Sequence, residues 1–303
     1  TQTAYTVWAN NSGGSAVAYL NITVNDQVPT NVSYGNPGYE LVLVNNTNPN
    51  DWILPPTVEG HGTIVSWAIN ASLPSGVDFN TSNGHFSGKP TELWQRTPYT
   101  IWANNSGGSA IAYLNITVND QVPTVSYSPN PIVLVVNLTS SALPLEPVLS
   151  GSGAVTSWEL VGTLPAGLSF GSSNGTFWGT PTSLLHPSVN YTVWANNSGG
   201  SSFTVLAISV VDAAPSSLSY SPSGQDVPLN TTMTSMQATV TGGGPITNWT
   251  IHPPFLPFGF QFNQNNGLMF GTPTDFWTHT SYTVFSYNSG VFVNVTFWLT
   301  VVH

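Results

Sequence analysis

Apolar and polar residues alternate one by one along much of the chain, the pattern of a half-buried β-strand and not of a helix, whose apolar stripe returns every three to four residues. In YTVWA, Tyr5, Val7 and Ala9 share one face while Thr6 and Trp8 share the other. In AVAYLNITV, Ala16, Ala18, Leu20, Ile22 and Val24 point inward, and Tyr19, Asn21 and Thr23 point outward. The intervening NNSGGS has the residues of a tight turn, so the two segments read as an antiparallel hairpin. Asn-Gly steps at Asn83, Asn174 and Asn266 mark a further hairpin in each of three places. No amphipathic helix is evident in the sequence.

These segments recur. YTVWANNSGGSAVAYLNITVNDQVPT at Tyr5 returns almost unchanged at Tyr99, then more loosely at Tyr191 and Tyr282, in steps of 94, 92 and 91 residues. A second block, LPSGVDFNTSNGHFSGKPT from Leu73, returns from Leu164 and Leu256. A tryptophan returns at Trp67, Trp158 and Trp249, where a central strand would bury it. Self-similarity at a fixed period is the mark of a repeat architecture. Short strands with frequent turn signals and no helix make each unit a β-sandwich. The organisation expected is all-β: residues 1–26 as the last two strands of a domain, then tandem immunoglobulin-like sandwiches over 27–120, 121–212 and 213–303. The junctions NDQVP at Asn25, NDQVP at Asn119 and VDAAP at Val211 each carry a proline and are too short for flexible linkers.

The combination of LPxGLxF, a short NG hairpin, GTPT and then Y-T-V-x-A-x-N-x-G-G-S resembles the immunoglobulin-like repeats of bacterial and archaeal surface proteins, related to cadherin-like domains of dystroglycan type. The resemblance covers the three full units and the leading fragment. It implies a seven-stranded sandwich in a large cell-surface chain, with no catalytic residues to carry over. The last unit departs most, with Phe285, Ser286 and Tyr287 in place of Trp-Ala-Asn.

Composition narrows the role. The 303 residues are 40% hydrophobic and 12% aromatic, enough for substantial cores. Lys89 and Arg96 are the only Lys or Arg against twelve carboxylates, a net charge of -10. That balance excludes counterion-release binding to nucleic acid and disfavours anionic membranes. No stretch approaches the roughly 20 apolar residues of a membrane span, so direct membrane insertion is not expected. TQTAYTVWAN has neither part of a signal peptide, and any leader or anchor is expected outside this segment. The absence of cysteine rules out a disulfide framework.

Solubility then rests on Asn, Ser, Thr and Gly, and on what they carry. Fifteen of thirty asparagines lie in N-x-S/T sequons, where about seven would fall by chance in a chain with 71 Ser and Thr. They are Asn10, Asn21, Asn31, Asn45, Asn70, Asn80, Asn104, Asn115, Asn137, Asn174, Asn190, Asn196, Asn230, Asn248 and Asn294. The excess points to covalent N-glycans on an extracellular or cell-surface chain.

Trp8, Trp102 and Trp194 fall on the outer face, with Tyr19 and Tyr113 expected opposite them on the next strand. Such pairs either stiffen the sheet or stack on a sugar, and a glycan on the adjacent Asn21 or Asn115 would reconcile the two. Asp26, Asp120 and Asp212 sit at the junctions, where cadherin-type modules hold calcium. Calcium needs six to eight oxygens with several converging carboxylates, so turn capping is the expected role and no metal or other cofactor is assigned. The six histidines do not follow the repeat period, and no nucleophile elbow or P-loop is present. No enzyme is expected here. The reading is a structural repeat protein of a surface filament or coat, with like subunits or neighbouring repeats as partners. Two alternatives stay open: an adhesin or carbohydrate-binding module using the outer aromatics, and a spacer for an enzyme beyond this segment. The leading hairpin is read as a slice of a longer array or as a strand pair donated to a neighbour.

Overall fold

A computed structural model describes residues 2–35, 40–47, 52–60, 62–151 and 153–303; His61 lies outside these. The described residues contain strands and no α-helix, and no helix is long and apolar enough to cross a membrane. The chain opens with β1 (Gln2–Asn11) and β2 (Gly14–Thr23), paired antiparallel from Gln2↔Thr23 to Asn11↔Gly14 as a two-stranded sheet.

Eight strand segments follow, and the set repeats twice more. The first set is β3 (Thr30–Ser33), β4 (Glu40–Val44), β5 (Thr57–Glu59), β6 (Ser66–Ile69), β7 (Val77–Phe79), β8 (Phe86–Gly88), β9 (Trp94–Asn105) and β10 (Gly108–Asn119). The second is β11 (Thr124–Ser126), β12 (Ile132–Val135), β13 (Val148–Ser150), β14 (Ser157–Val161), β15 (Leu168–Phe170), β16 (Phe177–Gly179), β17 (Leu185–Asn197) and β18 (Gly200–Val211). The third is β19 (Ser217–Tyr220), β20 (Gly224–Pro228), β21 (Ala238–Thr241), β22 (Asn248–His252), β23 (Phe260–Asn263), β24 (Leu268–Gly271), β25 (Trp277–Tyr287) and β26 (Phe292–Val302).

Each set forms a four-stranded sheet, in the order β4-β10-β9-β6 in the first, together with the pairs β3-β5 and β7-β8. The seven strands implied by the family resemblance become eight segments because the first strand is split. Its first half, β3, pairs antiparallel with β5, and its second half, β4, runs parallel to β10 from Asn115↔Glu40 to Asn119↔Val44. By proximity the chain divides into two compact units: Thr1–Pro123 with Ser150–Val155 and Asn196–Ser201, and Thr124–Leu149 with Thr156–Ala195 and Ser202–His303.

The period-two alternation becomes the core. Tyr99, Ile101 and Ala103 on β9 are buried with Ala112, Leu114, Ile116 and Val118 on β10, packing with Val32, Trp67, Val77 and Phe86. The third set repeats this with Tyr282, Val284, Phe297, Leu299 and Trp249. Trp67, Trp158 and Trp249 are all buried. The Asn-Gly blocks explain themselves against these indoles. Gly84, Gly175 and Gly267 hold left-handed φ of 76°, 71° and 69°, and a Cβ at each would lie within 2.6–2.7 Å of the tryptophan ring, so only glycine fits both the turn and the ring. The hairpin between β7 and β8 is correspondingly wider than a two-residue turn, closed by Gly84 N–H donating to Asn80 O at 2.7 Å.

Candidate functional sites at the junctions and on the outer sheet face

The turn between the last two strands of each repeat does more than reverse the chain. In the shared Asn-Ser-Gly of these turns the asparagine uses its Oδ1 to accept the N–H two residues on, from Gly107 at 2.8 Å, Gly199 at 2.9 Å and Gly290 at 2.9 Å. This Asx turn leaves the amide nitrogen free to reach outward. Asn105 Nδ2 donates to Gln27 O at 2.7 Å, Asn197 Nδ2 to Gln121 O at 2.6 Å and Asn288 Nδ2 to Ala213 O at 2.8 Å.

The adjacent serine completes a clamp on the junctional aspartate. Its Oγ accepts the backbone N–H of Asp26 (Ser106, 2.9 Å), Asp120 (Ser198, 2.9 Å) and Asp212 (Ser289, 2.7 Å). In the first and third junctions the hydroxyl also donates to the carboxylate, at 2.9 Å to Asp26 and 2.8 Å to Asp212. Asp120 and Asp212 are buried by this contact. The following glycine lets the backbones meet: a Cβ at Gly107 or Gly199 would fall 2.0 Å from the carbonyl oxygen of Asp26 or Asp120. The first and third clamps each employ one carboxylate, and the described residues contain no group of three or more His, Asp or Glu placed to hold a metal ion. In the clamps Asp26 and Asp212 accept through the carboxylate and donate through the backbone N–H, and Asp120 donates through its backbone N–H.

The outer face of the four-stranded sheets and the matching face of the two-stranded β1–β2 sheet carry the aromatic positions. Tyr19 is 84% exposed, Tyr113 72% and Trp8 62%, whereas Trp102 and Trp194 are half-buried. The expected Trp–Tyr pairing is shifted: Trp102 lies opposite Ile111 and Trp8 opposite Val17, while Tyr113 lies opposite Thr100 and Tyr19 opposite Thr6. The turn sets the register and leaves the tryptophan and tyrosine as diagonal neighbours on one face. In the second repeat Trp194 meets Phe203, ring centroids 4.9 Å apart. In the third, Phe285 at the tryptophan position forms a cluster with Tyr287 and Phe292, centroids 5.5–6.4 Å apart, so the departing sequence rebuilds an aromatic surface with two rings from new positions. Arg96 and Glu40 pair beside this face at 3.5 Å, both exposed.

The sequons divide by what the asparagine does in the fold. Asn137 and Asn230 occupy left-handed turns at φ 59°, each donating its N–H to a proline carbonyl at 2.8 Å and 2.9 Å. Asn46, at φ 56° with the same bond to Pro90, fills that position in the first repeat, so the sequon at Asn45 lies one residue out of phase. Asn31 is also left-handed and donates to Glu59 at 2.8 Å. Asn70, Asn80 and Asn174 accept backbone N–H groups, and Asn104 accepts Ser109 Oγ at 2.6 Å. Asn10, Asn21, Asn190, Asn248 and Asn294 are exposed; Asn115 and Asn196 are half-buried.

Sequence reasoning passed over Tyr34, Tyr127 and Tyr220, although they recur at steps of 93 residues. Each buried phenol donates to the carbonyl of the glycine that sits on the core tryptophan, Gly84, Gly175 or Gly267. Burial pushes all three phenols well above their ordinary pKa. Two clefts of about 400 Å³ lie where the strands bulge, lined by Trp94, Thr117 and Val118 in the first repeat and by Trp277, Thr300 and Val301 in the third.

A family profile described as Putative Ig domain matches residues 22–119 and 122–212. The serine-rich adhesin for platelets of Staphylococcus aureus strain MRSA252 is 28% identical over 270 residues, 85% of this chain and 18% of the adhesin. Its counterpart in strain USA300 is 28% identical over the same length, with 11% of the adhesin covered. The chain thus spans less than a fifth of the length of these relatives. Among solved structures, the N-terminal eight Ig domains of Down Syndrome Cell Adhesion Molecule align with all of this chain and 40% of theirs at 16% identity and TM-score 0.42. Extracellular domains 3–5 of Drosophila OTK align with 92% of this chain and 100% of theirs, at 16% identity and TM-score 0.37.

Proposed function

Since the chain belongs to the Putative Ig domain family, its profile spanning two consecutive repeats, we propose that it is a non-catalytic, N-glycosylated repeat protein of the extracellular space or cell surface, built to continue end to end as a filament or coat. The observation that carries this reading is the clamp: the same Asn-Ser-Gly turn grips the same junctional aspartate three times, at Asp26, Asp120 and Asp212. Hydrogen-bonded junctions in place of flexible linkers suit a chain that transmits or resists force. A surface almost free of Lys and Arg also withstands trypsin-like proteases. Electron microscopy of the native source tests the reading: extended fibres or a lattice with a spacing near one repeat are expected, and compact isolated monomers would defeat it.

A second reading, adhesion, is favoured by the exposed outer aromatics and by relatives named as adhesins. In that case Trp102→Ala removes binding to a glycan array without lowering the Tm. Absence of binding by the parent chain to any array would count against adhesion through sugars.

A further inference from the structure

We propose that Asn21, Asn115 and Asn294 carry N-linked glycans whose first sugar ring stacks on the aromatic side chain two residues upstream, Tyr19, Tyr113 and Phe292. The proposal rests on the reading of a glycosylated surface chain and says where on it the sugars sit.

Six of the fifteen sequons have an aromatic residue at the second position before the asparagine: Asn10 after Trp8, Asn21 after Tyr19, Asn104 after Trp102, Asn115 after Tyr113, Asn196 after Trp194 and Asn294 after Phe292. All six pairs lie within strands. Residues two apart on a strand project to the same face about 6.6–6.8 Å apart. The ring, the amide and the sequon hydroxyl therefore stand in line on the outer surface. A sugar joined to the amide can lay its C–H face on the electron-rich face of that ring. At the other nine sequons the residue at that position is not aromatic.

The six then separate by their hydroxyl. In two of the three Trp-Ala-Asn-Asn-Ser copies the sequon serine is the clamp residue, Ser106 or Ser198, bonded to Asp26 or Asp120. Asn104 is itself engaged by Ser109, and Trp102 and Trp194 are half-buried. Of the rest, Asn10 ends in Ser12, and the other three end in a threonine outside the clamp: Thr23, Thr117, whose Oγ1 donates to the exposed Glu40 carboxylate at 3.1 Å, and Thr296, which shares a hydrogen bond with Thr283 at 3.2 Å. Their upstream rings are exposed, 84% at Tyr19, 72% at Tyr113 and 50% at Phe292. The third is no copy of the first two. Asn294 pairs with Phe285, the counterpart of Trp102, whereas Asn115 pairs with Pro98, so the aromatic-Asn-Thr line arises at a different place in the strand. There Phe285 stands across from Asn294, and Phe292 touches Phe285 and Tyr287, ring centroids 5.6 and 5.5 Å apart, while half of it stays exposed.

The modification needs a separate glycosyltransferase and a polyprenyl-linked oligosaccharide phosphate or pyrophosphate as donor. The asparagine amide nitrogen attacks the sugar C1; the N–C1 bond forms as the C1–O bond to phosphorus's oxygen breaks, the lipid phosphate leaves and one amide proton passes to a base. No electron transfer is involved.

The test is chymotryptic glycopeptide mass spectrometry of the native protein, with NMR of the sugar protons on parent and Tyr113→Ala chains made in a host that attaches N-glycans. Tyr113 is exposed, so the variant retains the core. Expected are sugars at all three asparagines, with ring protons of the first sugar at Asn115 shifted upfield in the parent and returned to ordinary positions in Tyr113→Ala. Sugars at these sites with no such shift would overturn the stacking. Sugars only at other sequons, such as Asn137 or Asn230, would overturn the proposal while leaving a glycosylated surface protein. A chain bare at all fifteen would remove both.

Discussion

Replacing Gly199 by alanine should open the junction before the second repeat without disturbing the sandwich that carries it. Gly199 does not hold a left-handed φ, so its own backbone accepts a side chain, and Gly→Ala at a compatible site lowers the entropy of the unfolded chain. The new Cβ would nevertheless lie 2.0 Å from Asp120 O and 2.8 Å from Asp120 C, both backbone atoms that cannot swing aside. The junction must retreat, breaking Asp120 N–H to Ser198 Oγ (2.9 Å) and Asn197 Nδ2 to Gln121 O (2.6 Å). At about 0.5–1.5 kcal/mol net for each, the pair contributes about 1–3 kcal/mol to holding the junction closed. With tenfold per 1.4 kcal/mol, the open fraction rises roughly 5- to 150-fold. Amide hydrogen exchange reads this locally: Asp120 N–H should exchange faster by that factor while amides of the buried β17 residues Tyr191 and Val193 keep their protection. Gly13→Ala is the control, because its Cβ would meet only its own Asn11 at 3.3 Å. If Asp120 exchanges equally fast in Gly199→Ala and Gly13→Ala, the clamp does not hold the junction.

Three further outcomes follow from the cores. Gly175→Ala forces a left-handed alanine, which costs about 1–2 kcal/mol, against an indole 2.7 Å from the new Cβ; calorimetry should show a Tm lower by roughly 8–16 °C for a loss of about 2 kcal/mol in a domain this size, and a drop under about 2 °C would contradict the packing. Ser286→Ala should raise stability by about 1 kcal/mol in denaturant titration, because the fully buried Ser286 Oγ has no hydrogen-bond partner among the described residues and alanine stands at the matching Ala103 and Ala195; a destabilised variant would show a partner for that hydroxyl. Tyr34, Tyr127 and Tyr220 have folded pKa values raised above 10.0, so their neutral forms stabilise the fold fully below that pH, and the contribution is lost as pH climbs from 10.0 toward the raised values. Their phenolate absorbance should therefore rise only together with loss of tertiary circular dichroism, and ionisation of all eleven tyrosines in the folded chain would refute it.

What could be read from the sequence followed from how local each physical cause is. Alternation settles which face a strand residue takes, so Ile101, Leu114 and Ile116 were assignable to the core and Tyr113 to the surface from one strand at a time. The partner across the sheet is a question of register, set by turn geometry that composition does not specify; hence Trp102 was matched with Tyr113 although Ile111 faces it. The split of the first strand into β3 and β4 was hidden because β4 finds its partner β10 some 75 residues later, through parallel pairing that leaves no local turn. The clamp was hidden for the same reason, with Asp26 and Ser106 lying 80 residues apart. Here, however, the repetition holds usable information. Asp26, Asp120 and Asp212 recur together with Ser106, Ser198 and Ser289, while Phe285, Ser286 and Tyr287, just before the third turn, have drifted. The third repeat has Phe285-Ser286-Tyr287 in place of Trp-Ala-Asn and keeps Asn288-Ser289-Gly290 at its tip. Drift on the face together with retention at the tip separates two demands on one hairpin: the face needs only aromatic surface, which Phe285 supplies at the tryptophan position and Tyr287 and Phe292 from new ones, whereas the junction needs an amide, a hydroxyl and a bare α-carbon at fixed points.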